Sequence, residues 1–376
     1  MPPFHADIDL AAVRANVGEL RRRAGRAAVM AVVKADGYGH GMVPCAQAAV
    51  EGGAEWLGVA FVDEAVALRA AGLDVPVLAW LLTPDTDLAP AVTAAVDVGV
   101  SAEWALDAAA RAATVAGQPA RVHLKADTGL GRAGATAAEW PQMCERAAKL
   151  AADGLVEVVG VWSHLAYADA PGHPTIAAQD ARFRDAVEAA RAAGVTPQLL
   201  HLANSAATLA LPETHYDLVR PGVAVYGLSP GPEVGTPTSL GLRPAMRLVA
   251  EVALVKRVPA GQGVSYGHRY TTERDTTLAL VPIGYADGVP RHATNVGPVA
   301  IGGQRFAVSG TVCMDQFVVD VGDAHVSAGD EVVLFGAGDG GEPTADDWAA
   351  AVGTINYEIV TRLGSRVPKR YLGAAA

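Results

Sequence analysis

The sequence predicts an α/β fold in two parts, an N-terminal (β/α)8 barrel followed by a C-terminal mostly-β domain. Three observations carry this. From residue 28, short apolar runs alternate with longer alanine-rich amphipathic stretches, the pattern of βαβ units on a parallel sheet. Eight such units fall within roughly 200 residues, the count of a closed barrel. Beyond Pro230-Gly231-Pro232 the pattern changes to alternating strands separated by glycine turns. At 376 residues the chain exceeds one ordinary domain, so the expected division is a barrel over 12–238 and a β domain over 239–376.

In chain order, the opening stretch 4–11 alternates apolar and polar residues ahead of the barrel, and is expected to pair with the β domain. The eight barrel strands are expected at 28–34, 56–60, 76–81, 95–98, 121–126, 158–164, 198–203 and 217–220. Helical stretches at 62–71, 102–116 and 175–193 separate several of them. In the β domain, strands are expected at 248–258 and 277–283 and a hairpin at 299–306. A late helix over 345–352 opens on an N-cap-like Thr344, with Asp346 and Asp347 in its first turn.

Half of the residues are apolar, enough for a large core. The net charge of -11 and the pI of about 5.4 disfavour nucleic acid and anionic membrane as partners. Cys45, Cys144 and Cys313 are widely spaced without a CxxC pair, which points to neither a disulfide framework nor a zinc site and fits a reducing cytoplasm. No apolar run approaches a membrane span, and the opening residues lack the basic-then-apolar order of a secretory leader, so a cytoplasmic protein is expected.

The chemistry is concentrated at the strand ends. The run 28–34 is apolar and stops on Lys34, and a polar, glycine-broken loop follows over 35–41. A lysine at the end of a buried strand is poorly solvated, which lowers its pKa and suits it to covalent or general-base chemistry. The bland alternative is a lysine snorkelling to the surface. The loop lacks the Lys-Ser/Thr ending of a nucleotide phosphate loop. Lys34, Arg132, His164, Ser205 and Arg220 fall at or just after the ends of strands one, five, six, seven and eight, where a barrel builds its site. Any one of them alone is more often structural; five on one face make chance a poor explanation.

At this point Val33-Lys34-Ala35-Asp36-Gly37-Tyr38-Gly39-His40-Gly41 closely resembles the pyridoxal-phosphate motif of bacterial alanine racemases. The resemblance continues through Lys125-Ala126-Asp127-Thr128-Gly129-Leu130-Gly131-Arg132, Ser163-His164, Ala203-Asn204-Ser205 and Val219-Arg220-Pro221-Gly222. In the second part it runs through Val264-Ser265-Tyr266-Gly267, Gly284-Tyr285-Ala286-Asp287-Gly288, Met314-Asp315-Gln316 and Ile355-Asn356-Tyr357-Glu358. It implies that Lys34 holds pyridoxal 5'-phosphate covalently and is the base on the D-alanine side, with Tyr266 the base on the L-alanine side. Racemisation takes a proton from one face of the α-carbon and returns one to the other, so two bases are needed. A phenol with a pKa near 10 needs help to ionise, which His164 linked to Arg220 would supply.

By the same resemblance Arg220 faces the pyridine nitrogen, where other pyridoxal enzymes place a carboxylate. The phosphate is expected on Tyr38, Ser205, Tyr357 and the backbone N–H groups of Ser205, Gly222 and Val223. Arg132 is expected to steady the cofactor and the substrate carboxylate, with a backbone N–H from Met314, and Tyr285 to narrow the substrate entrance. Lys125 stands where family members can carry a carbamylated lysine that orients Arg132. The resemblance further implies a homodimer with shared active sites and a role in supplying D-alanine for peptidoglycan. Three other readings remain: a racemase of broader or serine-preferring specificity, a non-catalytic pyridoxal-phosphate protein, which would lack the β domain and Tyr266, and a barrel decarboxylase, which would want an acid where Arg220 stands.

Overall fold

The computed structural model describes residues 2–373. Its described residues form two compact units. One, the barrel unit, holds Val13–Gly37 and Met42–Leu242; the other holds the residues through Ala12, Tyr38–Gly41 and those from Arg243 onward. Strand β1 (Phe4–Asp9) opens the chain, and the barrel strands follow as β2 (Ala28–Val32), β3 (Trp56–Val59), β4 (Val77–Ala79), β5 (Asp97–Val100), β6 (Ala120–Lys125), β7 (Val156–Trp162), β8 (Leu199–His201) and β9 (Leu218–Val219).

The barrel strands are hydrogen-bonded in the order β8-β7-β6-β5-β4-β3-β2-β9, and every pairing is parallel. The ring is closed by backbone bonds from Asp217 N–H to the Leu200 carbonyl (3.0 Å) and from Arg220 N–H to the Ala203 carbonyl (2.9 Å). All eight expected strands exist, most of them shorter than the apolar runs that announced them. Met30, Trp56, Leu78, Val159 and Leu218, from five of these strands, form an interior cluster onto which Ala28, Trp80 and Leu199 pack. Side chains of a barrel interior interdigitate in layers, so bulky residues need small neighbours. Gly160 is such a neighbour: a Cβ there would run into His123 Nδ1 and sit 3.1 Å from His201 Nε2.

The second unit contains β10 (Met246–Glu251), β11 (Leu254–Val258), β12 (Gly263–Val264), β13 (Tyr270–Thr271), β14 (Thr276–Val281), β15 (Pro298–Ile301), β16 (Gln304–Ala307), β17 (Phe317–Gly322), β18 (Glu331–Phe335) and β19 (Lys369–Leu372). A six-stranded sheet runs β16-β15-β18-β10-β1-β19, a three-stranded sheet β11-β14-β17, and β12 pairs with β13. The opening strand therefore lies inside the larger sheet, antiparallel to β10 and parallel to β19. Its alternation explains why: Phe4, Ala6 and Ile8 are buried while their neighbours are not.

The single strand expected at 248–258 is two. The chain leaves one sheet after Glu251, and Val252 N–H bonds to Asp330 and Ala253 N–H to Leu280 as it enters the other. The apolar alternation runs on through this corner without a glycine or proline to mark it. The late helix is Ala345–Val352, where Thr344 Oγ1 accepts from Asp347 N–H (3.1 Å) and Asp347 Oδ2 accepts from Thr344 N–H (3.0 Å), a capping box. No helix among the described residues is long and apolar enough to cross a membrane.

The close packing around Gly160 gives a first test. Gly160→Ala should destabilise the protein by about 1–3 kcal/mol through overpacking, read as a lower midpoint of denaturant unfolding. An unchanged midpoint would show that the two imidazoles can shift aside freely.

Candidate active site

Lys34 follows β2 after one residue, and there the backbone turns left-handed. Ala35, Asp36, Gly37 and Tyr38 have φ of 54°, 53°, 61° and 52°. Three of these are not glycine, and each such residue costs roughly 1–2 kcal/mol in this conformation. Side chains offset that strain. Glu64 Oε1 accepts from Ala35 N–H (2.7 Å), its Oε2 accepts from Ala60 (2.9 Å) and Phe61 (3.1 Å), and Asp36 Oδ1 accepts from Met42 N–H (2.9 Å). The result is a strand that ends abruptly, with the half-buried lysine placed beyond its last pair. Burial lowers the Lys34 pKa, the Arg132 charge lowers it further, and Glu64 opposes the change. Its Nζ lies 5.8 Å from the centre of the Trp80 ring.

Arg220, just after β9, is the most enclosed of the cations, at 5% exposure. Its NH2 donates to the carbonyls of Ser163 (2.7 Å) and Leu202 (3.2 Å) and lies 3.4 Å from His164 Nδ1, while NH1 donates to His201 Nδ1 (3.0 Å). The guanidinium carbon sits 4.9 Å from the Trp162 ring centre, and Lys125 Nζ 4.3 Å from that centre. Burial brings the Arg220 pKa down to about 9, so the group is still a cation at neutral pH.

The neighbours yield to that charge. Burial, then the charges of Arg220 and Arg132, lower Lys125 to about 7. His164 is held well below the usual imidazole range by burial, then by Arg220, Arg132, Lys125 and Lys34, and is neutral at physiological pH. The loop to Arg132 is shaped by Asp127, whose Oδ1 accepts from the N–H groups of Gly129 (2.9 Å), Leu130 (3.0 Å) and Gly131 (3.2 Å). Ser205 opens the short helix Ser205–Ala210 behind the capping Asn204, and its Oγ accepts from Gly222 N–H (2.7 Å) and Ala224 N–H (3.4 Å). Val223 is buried in the turn that follows. The barrel unit thus gathers Lys34, Lys125, Arg132, His164 and Arg220 into one electrostatic cluster, with Ser205 bonded to Gly222 and Ala224 on either side of Val223.

The β unit holds the other candidates. Tyr38 and Tyr357 come together, their ring centres 6.2 Å apart, and burial pushes the Tyr38 phenol up. Tyr266, Tyr285 and Met314 are 74%, 40% and 53% exposed. Their loops are tied together: Tyr285 N–H bonds to the Cys313 carbonyl (3.1 Å), Ala286 N–H to the Met314 carbonyl (3.0 Å), and Thr311 Oγ1 donates to the Tyr266 carbonyl (2.8 Å). Arg366 clamps two of these loops, with Nε 3.0 Å from Asp287 Oδ1 and NH1 2.7 Å from Asp315 Oδ1.

Sequence reasoning passed over Asp97, His123, His201, Trp162 and Arg366. One signal for His123 was present: Arg121, His123 and Lys125 recur at a spacing of two along β6, which puts three polar side chains on the same face of a barrel strand.

A closed parallel barrel with a separate β unit, presenting a depressed lysine beside buried cations at its strand ends, has the architecture of the barrel enzymes, whose chemistry sits at that face. Comparison with known proteins names the family. Residues 8–230 match the alanine racemase N-terminal domain and residues 245–371 the alanine racemase C-terminal domain. The chain is 67% identical over 367 residues to the alanine racemase of Frankia casuarinae, covering 98% of this chain and 96% of that one. The structure of alanine racemase from D-cycloserine-producing Streptomyces lavendulae superposes with a TM-score of 0.99 at 57% identity, covering 100% and 98% of the two chains. That of Streptomyces coelicolor gives 0.97 at 58%, covering 99% and 98%. The chain belongs to the alanine racemase family.

The depressed Lys125 makes stability depend on pH. An unfolded lysine titrates near 10.4 and the folded one at about 7, so between those values the unfolded chain binds more protons and stability rises with pH. In carbonate-free buffer, Lys125→Met should remove part of that rise, seen as a smaller gain in unfolding free energy from pH 7 to pH 10 than in the wild type. Parallel profiles would show that Lys125 keeps an ordinary pKa.

Proposed function

We propose that this chain interconverts L-alanine and D-alanine with pyridoxal 5'-phosphate held covalently on Lys34, and so supplies D-alanine for peptidoglycan in the cytoplasm. The observation that carries the reading is the arrangement around Arg220: a buried cation that can only donate, set among the charges of Lys34, Lys125 and Arg132, a donor set suited to an anion with an acceptor nitrogen. A phosphorylated pyridine fits that donor set. When bound, it supplies an electron-withdrawing ring conjugated to the substrate amine, which acidifies the α-proton.

The protein groups do the rest. Lys34, its pKa lowered by burial, takes and returns the α-proton on the D-alanine side. Tyr266 does so on the L-alanine side. His164 is neutral, and with Nδ1 turned to the Arg220 donor its proton sits on Nε2, where it can support a phenolate. Arg220, a donor-only cation, would face the pyridine nitrogen and leave it unprotonated, which would limit charge delocalisation into the ring and disfavour transamination and decarboxylation. Tyr38, Ser205, Tyr357 and the N–H groups of Ser205, Gly222 and Val223 hold the phosphate. Arg132 and the Met314 N–H hold the substrate carboxylate, Tyr285 narrows the entrance, and Lys125, carbamylated, orients Arg132.

The working form is a homodimer whose sites combine Lys34 of one chain with Tyr266, Tyr285 and Met314 of the other. Supporting this, those three residues are unusually exposed for large side chains, and the loops that carry them are held rigidly by Arg366 and by backbone bonds. A two-fold dimer sets the same surfaces against each other twice.

A coupled assay of the pyridoxal-loaded protein should show inversion of L-alanine well above that of L-serine and L-lysine, and no inversion of alanine would overturn the reading. Borohydride reduction followed by peptide mapping should place the pyridoxyl group on Lys34; a label on Lys125 would reassign the anchor. For the shared site, Lys34→Ala and Tyr266→Ala chains are mixed, with subunit exchange verified by a mass tag. Each mixed dimer then has one doubly defective and one intact site, so random mixing should restore about a quarter of native sites. Silence despite exchange would show that both residues serve one chain's site.

A further inference from the structure

Beyond Arg220 the barrel interior holds titratable groups that the racemase reading leaves unused. Arg220 NH1 donates to His201 Nδ1 (3.0 Å), His201 Nε2 lies 2.8 Å from His123 Nδ1, and His123 Nε2 lies 3.0 Å from Asp97 Oδ2. The two imidazoles are fully buried and Asp97 is 1% exposed. They come from β8, β6 and β5, and Gly160 on β7 leaves them the room. Trp162 stacks on His201 at an interplanar angle of 8°, and Trp56 meets His123 edge-on at 82°. Arg121 takes the other carboxylate oxygen, Nε to Asp97 Oδ1 at 2.7 Å.

Both ends of this chain are fixed by chemistry. A guanidinium only donates and a carboxylate only accepts. Burial alone would raise the Asp97 pKa, but the hydrogen bonds from His123 and Arg121 and the Arg121 charge outweigh it and keep the group ionised. His201 is held far below the usual imidazole range by burial and by the Arg220 charge, and is neutral. With one proton on each imidazole, a chain between such ends has one arrangement without a clash, each proton on Nε2. An Nδ1 proton on His201 would face the Arg220 N–H, and one on His123 would face the His201 N–H.

We propose that Asp97, acting through His123 and His201, is a positioning residue for the racemase reaction: it sets both tautomers so that Arg220 finds a lone pair on His201 Nδ1 and is held in the orientation it presents at the barrel mouth. This rests on the reading that Arg220 faces the pyridine nitrogen. In Asp97→Asn the amide oxygen stays with Arg121 and the amide NH2 faces His123. Both imidazoles must then carry the proton on Nδ1, and His201 presents N–H to N–H at Arg220.

The test begins with the wild-type, cofactor-loaded protein, labelled with 15N-histidine. Long-range proton–nitrogen correlation should show Nε2–H on both His123 and His201, and an Nδ1–H on either overturns the proposal. In Asp97→Asn both should switch, and kcat should fall about tenfold or more, the loss expected for one charge-assisted hydrogen bond, with KM for alanine changed less than about twofold. Unswitched tautomers or an unchanged kcat overturn it. A second pair of variants decides should Asp97→Asn fail to fold. His201→Asn places an oxygen near the Nδ1 position that accepts whatever the tautomer of His123, and should retain most of kcat; His201→Leu has no acceptor and should lose about tenfold or more. Equal losses in the two would mean that His201 is only packing. In the His201→Asn background Asp97→Asn should add less than about twofold, and an undiminished loss there overturns the relay. None of these failures touches wild-type racemisation, whose absence would instead be the failure of the racemase reading.

Discussion

The constraint on which the rest of this molecule depends is a guanidinium enclosed in the barrel. An unpaired charge in an apolar interior is prohibitive, and a donor-only group cannot be satisfied by other donors. Arg220 is accordingly met by acceptors from several elements: the carbonyls of Ser163 and Leu202, His201 Nδ1, and His164 Nδ1 at longer range. Among the described residues no carboxylate pairs with its charge, and the buried one on its hydrogen-bond path is Asp97, two imidazoles away. The neighbours respond by losing their own charges, His164 fully and Lys125 about half at neutral pH. A site of this kind is poised for an anion, since binding one relieves a repulsion that folding alone leaves in place.

The barrel supplies what this arrangement requires. Parallel strands put alternate side chains into the interior, so one strand can bring Arg121, His123 and Lys125 to successive depths of the same column. That column must be narrow enough to exclude water and wide enough for two imidazoles. Trp56 and Trp162 provide the walls, and Gly160 provides the width. The apolar cluster of Met30, Trp56, Leu78, Val159 and Leu218 meets this polar thread where Trp56 touches His123, and each group of the thread has a partner. A fully satisfied buried network rigidifies its surroundings, whereas a half-satisfied one is costly, which is why small changes in it should be felt at the mouth.

Much of this was legible in the chain itself. Strand ends are where a barrel does chemistry, so Lys34, Arg132, His164, Ser205 and Arg220 could be read from position and type before any contact was known. What escaped reading did so for physical reasons. Asp97 and His201 sit in short apolar strands where one polar residue looks like any strand-edge group, and only the sheet order brings them to one axis. The corner after Glu251 carries no turn residue, so two strands read as one. The left-handed turn after Lys34 contains Gly37, but Ala35, Asp36 and Tyr38 are residues that seldom adopt it, and one carboxylate that helps hold it, Glu64, stands almost thirty positions away.

That turn shows why the amine and the guanidinium belong to one design. A lysine continuing a regular strand would point alternately with its neighbours and be free to follow solvent. By breaking the strand immediately after Lys34, the left-handed run fixes where the side chain leaves the backbone, and the carboxylate of Glu64 holds the break by accepting three backbone N–H groups at once. The same carboxylate favours the protonated amine, opposing the burial and the Arg132 charge that favour the neutral one. Glu64 therefore acts on Lys34 in two ways, by geometry and by charge, and the two cannot be varied separately. Arg220 is treated in the opposite manner: its geometry is set by neutral acceptors while its countercharge is kept at a distance. Burial pushes both cations toward the neutral form, and Arg220 keeps its charge because the intrinsic pKa of a guanidinium lies well above that of an amine.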